Sequence, residues 1–72
     1  MDKIKGLPVI AVIEGSIAEM AGVRAGDKIL AFNDVRVENA SDYIKAKKVS
    51  LKRESMLVER NGKKFYFEWD KK

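Results

Sequence analysis

The sequence predicts a mainly β domain with two short helices (α+β), arranged as a small, partly open antiparallel barrel or sandwich. Three features point there. Asn61-Gly62 separates two runs of alternating side chains, residues 55–60 and 63–69, and this dipeptide takes the positive φ angles that a tight hairpin demands. Within GSIAEMAGVRAGDKIL (15–30), Gly22 and Gly26 mark a helix stop and then a turn into a strand. Both helical stretches lie between strands joined by hairpin-type links, which disfavours a parallel βαβ sheet.

Taken in order, LPVIAVI (7–13) is short, rich in β-branched residues and followed by Glu14-Gly15-Ser16, which predicts a buried strand. Ser16 is placed to cap a helix, and Glu19 completes an S-x-x-E capping box. The helix IAEMA (17–21) barely exceeds one turn. Gly22 stops it in a left-handed conformation, and Val23 packs back onto it. Gly26-Asp27 turns the chain into a strand over 29–32, and Asn33-Asp34 is a turn pair. Val35 and Val37 then alternate with Arg36 and Glu38 in a short extended piece.

Asn39 is the expected N-cap of the second helix, with Asp42 in the first turn favourable to the helix dipole. Ala40, Tyr43, Ile44 and Lys47 follow i, i+3, i+4, i+7 spacing, and the helix is expected to end near Lys48 or Val49. In the closing hairpin Phe65, Phe67 and Trp69 share one strand face, the expected core face, while Tyr66 and Glu68 take the other.

A chain of 72 residues makes one small domain, and domains of this size bury only roughly 60% of their unfolded surface. Cysteine and histidine are absent, which removes disulfides, thiolate metal sites, the commonest metal ligand and the commonest general base. The longest apolar run, 7–13, is far short of the ~20 residues of a membrane-spanning helix. Charged residues make up 36% of the chain with a net charge of +4. The lysines are dispersed rather than clustered among aromatics, so no nucleic-acid partner is expected.

Ser16, Ser41, Ser50 and Ser55 have no histidine to activate them, and Gly22 and Gly26 belong to no phosphate-binding pattern. No Asp-rich calcium loop is present. The chain is therefore expected to be no enzyme and to carry no metal or cofactor of its own. What remains is binding: an open sheet edge accepts an extended peptide as an added strand, and a helix beside that edge makes a selective groove.

The stretch EGSIAEMAGVRAGDKILAFNDVRV (14–37) resembles the core signature of PDZ domains, xxSPAxxAGLxxGDxIlxvNGxxv, sharing Ser16, Ala18, Ala21-Gly22, Val23, Gly26-Asp27, Ile29 and Asn33. The order of elements extends the resemblance from Pro8 to Trp69. It implies a PDZ domain over 8–70, with 1–7 as a flank or truncated ligand-loop remnant and 71–72 as a tail. PVIAVIEGSIAEMAG (8–22) is similar to the PDZ domains inserted in bacterial site-2 intramembrane metalloproteases. Those domains are circularly permuted relative to animal ones, and the final strand over 63–69 fits that order. The PDZ domains of HtrA-type serine proteases are similar too.

Two departures stand out. Asp34 replaces the usual glycine after Asn33, at a position where Asp tolerates a left-handed φ. The family's carboxylate-binding loop, apolar-Gly-apolar, normally precedes the Pro-Val strand by several residues. Here Lys5-Gly6-Leu7 places the glycine directly against the strand, which implies a ligand edge shortened at that end.

The resemblance implies peptide-binding positions at Ala40, Ile44 and Lys47 on the groove helix and at Gly6 and Leu7 at the carboxylate end. Ordinary core packing competes for Ile44, and plain solvation for Lys47. The family's role would make the chain a non-catalytic regulatory module of a membrane-embedded protease, lying outside the cytoplasm and binding or filtering a substrate's C-terminus. The zinc would belong to the rest of that parent protein. The alternatives are a size-exclusion scaffold without a ligand of its own and the PDZ module of an HtrA-type serine protease.

Overall fold

In the computed structural model the described residues are 6–49 and 52–70. They form β1 (Leu7–Pro8), α1 (Ile17–Ala21), β2 (Lys28–Phe32), β3 (Val35–Arg36), α2 (Ala40–Lys47), β4 (Arg53–Arg60) and β5 (Lys63–Asp70). The strands make one open antiparallel sheet in the order β1-β2-β4-β5, with β3 also paired to β2. The mainly β, two-helix architecture read from the sequence is the observed one.

Local chemistry explains most boundaries. Ser16 Oγ accepts from Glu19 N at 3.2 Å, capping α1. Glu19 Oε1 returns the favour one residue earlier than a capping box requires, accepting from Gly15 N at 2.8 Å. Gly22 adopts φ 112°, and Val23 N donates back to Ala18 O at 3.0 Å, the helix-terminating pattern that needs a left-handed residue. Asn39 Oδ1 accepts from Asp42 N at 2.9 Å and so starts α2. Asn61 and Gly62 have φ 53° and 80°, so the β4–β5 hairpin closes through a type I′ turn. Asn33 and Asp34 have φ 51° and 65° between β2 and β3; Asp34 takes a left-handed conformation that aspartate tolerates.

Asp27, which follows the turn glycine, is buried. Its carboxylate accepts from Arg60 Nε at 2.7 Å, Arg60 Nη2 at 2.8 Å and Arg24 N at 2.9 Å. Arg60 Nη2 also donates to Gly22 O at 2.8 Å. One guanidinium therefore ties the end of β4 to both the α1 stop and the approach to β2. The paired hydrogen bonds from Arg60 hold the Asp27 pKa below its ordinary value against the opposing effect of burial, and Arg60 is raised in turn.

The core is small: Ile29 and Phe32 from β2, Met56 and Val58 from β4, with Val23, Val37 and Ala46. Two expectations need correction. The run 7–13 is not a buried strand: β1 ends at Pro8, and Ile10 and Ile13 are 89% and 80% exposed. Val9 still exchanges hydrogen bonds with the turn, its N donating to Asp27 O and its O accepting from Gly26 N. Beyond it β2 offers no further partner, and of the run 7–13 it is Leu7, Val9 and Val12 that pack against the core. Likewise Phe65, Phe67 and Trp69 do share a face, but Phe67 and Trp69 are only partly buried and Phe65 is exposed. β5 is the outermost strand, so its inner face is covered from one side only.

Candidate functional site

A cleft of about 400 Å³ opens between the segment 7–13 and α2. Leu7, Val9 and Val12 form one wall and Tyr43 the other, with Val23, Ile29 and Met56 beneath. Side chains of this kind, apolar and contributed by several elements, make a preformed binding cleft. Along its outer wall the N–H and C=O groups of Ile10, Ala11 and Val12 form no backbone hydrogen bond among the described residues. A stretch of unpaired donors and acceptors next to an apolar cleft is the requirement for docking an extended peptide through its main chain.

Tyr43 belongs to this wall because of how α2 is seated. Its ring stacks on Phe32, centroids 5.4 Å apart, and Ala46, one turn on, is fully buried. A small residue at that position lets the helix approach the sheet closely. Ala40 is exposed and Ile44 is 56% exposed, and neither lines this cleft. The inward face of α2 thus runs through Tyr43 and Ala46; of the spaced set Ala40, Tyr43, Ile44 and Lys47, it is Tyr43 that lines this cleft.

Lys47 lines a second, smaller cleft of about 220 Å³ with Glu54 and Trp69. Tyr43 and Met56 border both clefts, so the two are neighbours. The Lys47 ammonium sits 5.6 Å from the Tyr43 ring centroid and 6.0 Å from that of Phe32, within reach of cation–π attraction. Trp69 Nε1 donates to Glu54 Oε1 at 3.2 Å. Lys47 is therefore neither purely solvated nor directed into the main cleft; it leans on its aromatic wall.

Leu7 lines the main cleft at the β1 end, where it pairs with Ile29. Gly6 lies so close to β2 that a Cβ there would stand 2.7 Å from Ile29 O. Residues 1–5, where a longer carboxylate-binding loop would fall, lie outside the described residues. Sequence reasoning set Tyr43 in the spacing of the helix without naming it a wall residue, although its i+3 relation to Ala46, one of the helix's small residues, was there to read.

Among the described residues no group of acidic side chains is arranged to hold a metal ion, and no helix is long and apolar enough to cross a membrane. A protein-family model described as PDZ domain matches residues 9–60. No curated protein matches the chain.

Proposed function

The chain belongs to the PDZ-domain family, a family of protein-interaction modules that bind peptide C-termini, and we propose that it takes the C-terminus of a protein substrate as an extra strand along residues 10–12. The observation that carries this reading is the coincidence of unpaired backbone groups at Ile10 to Val12 with the cleft walled by Tyr43. Main-chain hydrogen bonds would supply register, and the cleft would select an apolar side chain. Leu7 and Gly6 lie at the β1 end of that wall, the place for the peptide's terminal carboxylate. Ile44 and Ala40, being exposed on α2, would meet only a ligand that rises above the cleft, and Lys47 would offer its charge at the border of the second one.

Within that reading, the similarity of 8–22 to the domains of site-2 intramembrane metalloproteases supports a finer assignment. The chain would be the regulatory, extracytoplasmic module of such a protein, filtering substrates for a zinc centre that lies elsewhere in the parent. The two-residue length of β1 favours one rival, a steric filter with no ligand of its own.

The test is a titration of the isotope-labelled chain with peptides ending in an apolar residue, each with a free or an amidated terminus. One added strand buries little area, so affinity should be micromolar or weaker. Amide shifts should concentrate at residues 7–13 and at Tyr43, and Tyr43→Ala should weaken binding by about tenfold. Shifts confined to other surfaces would defeat the groove. No binding at all, joined to lost substrate selectivity when the domain is deleted from its parent, would establish the steric filter.

A further inference from the structure

The opposite margin of the sheet poses a separate question. β5 is an outer strand of eight residues, long for an edge that must stay unpaired. A two-residue type I′ turn makes the flanking pair, Arg60 and Lys63, a hydrogen-bonded pair. Alternation then directs the backbone groups of Phe65, Phe67 and Trp69 toward β4 and those of Lys64, Tyr66 and Glu68 away from it. Among the described residues no strand pairs with that outward side. Tyr66 is 54% exposed, and neither Lys64 nor Glu68 makes an ion pair among the described residues. Their arrangement is self-complementary: one cation two residues before Tyr66 and one anion two residues after it.

We infer that this edge pairs with a second copy of the chain, β5 against β5 antiparallel about a two-fold axis at Tyr66. Tyr66 then faces its counterpart, and Lys64 of each copy faces Glu68 of the other, twice over. The register keeps the faces matched, because opposite residues in an antiparallel pair lie on the same side of the sheet. It also sets Phe65 opposite Phe67 of the second copy, covering a ring that is 36% exposed in the monomer. The Arg53–Asp70 ion pair is left undisturbed. This surface is distinct from the peptide edge, which lies at the β1 end of the sheet, so a dimer would present two grooves.

Sedimentation equilibrium of the 72-residue chain tests the pairing. The average mass should rise from 8.1 kDa toward twice that value between about 10 μM and about 1 mM, the range expected of a small interface, and rise less in high salt. Over the same range the amides of Lys64, Tyr66 and Glu68 should gain protection from hydrogen exchange. Lys64→Glu and Glu68→Lys, each checked for native amide spectra, should weaken self-association by at least about tenfold through like-charge contacts. An equimolar mixture of the two variants should associate again, because every cross-pair becomes opposite in sign. A chain that stays monomeric throughout, its edge charges serving only to guard it, would overturn the inference. So would association that ignores both substitutions, or a mixture that does not recover.

Discussion

Asp27 shows how much a single buried carboxylate decides in a chain this short. Two of its three partners come from Arg60, a residue 33 positions away, so the contact closes a long loop as well as neutralising a buried charge. The folded-state pKa lies below the ordinary carboxylate value, near 3.9 for an unfolded aspartate by the usual reference of about that figure. The unfolded chain therefore binds the proton first as pH falls. The stabilisation is complete above the unfolded value and is lost as pH drops from about 4 through the folded pKa. Urea unfolding followed from neutral pH downward should show this acid limb. Asp27→Asn should lower stability at neutral pH, since it removes the carboxylate that accepts two hydrogen bonds from Arg60, and should flatten the limb. An unchanged limb in that variant would assign the acid sensitivity to other carboxylates.

At the scale of elements, α1 depends on its ends rather than its length. Five residues are too few for a helix to hold itself together in water, so the Ser16 cap and the Gly22 stop carry the element. Ser16→Ala should lower stability by about 1 kcal/mol, measurable by chemical denaturation, while Ser16→Asp should retain most of it; equal losses in both would show that the cap is unimportant. This is also why so much of the fold was legible in the sequence. Caps, turns and left-handed glycines are local chemistry, and Ser16, Gly22, Asn39 and Asn61-Gly62 each act where their residue types predict. Burial was less legible, because it depends on which elements become neighbours. Residues 7–13 have the composition of a buried strand, but β2 supplies a ladder partner for only two of them. The helix spacing takes in Ala40, Tyr43, Ile44 and Lys47, and α2 turns its Tyr43–Ala46 side inward, where Ala46 is fully buried and Tyr43 stacks on Phe32. Of α2 it is Tyr43 that lines the cleft, while the expected positions Ala40 and Ile44 lie exposed beside it.

For the molecule as a whole, one small core links the two edges. Phe32 stands at its junction: it is buried, stacks on Tyr43 of α2 and lies 6.2 Å, centroid to centroid, from Trp69 of β5. Through it the groove wall and the outermost strand rest on the same side chain of β2. A core of this size supplies only about 3–5 kcal/mol of net stability, and truncating a buried phenylalanine costs about 3–5 kcal/mol. The two figures being comparable, Phe32→Ala should leave much of the population unfolded at 25 °C rather than merely loosen the helix. The amide spectrum of the variant should show native signals from α2 and from the β4–β5 hairpin weakening together, in favour of a single unfolded set. If the hairpin signals persisted at full intensity while those of α2 vanished, sheet and helix would be separable units. Groove and hairpin edge would then lack the common support that Phe32 gives them, and the domain would not fold as one cooperative body.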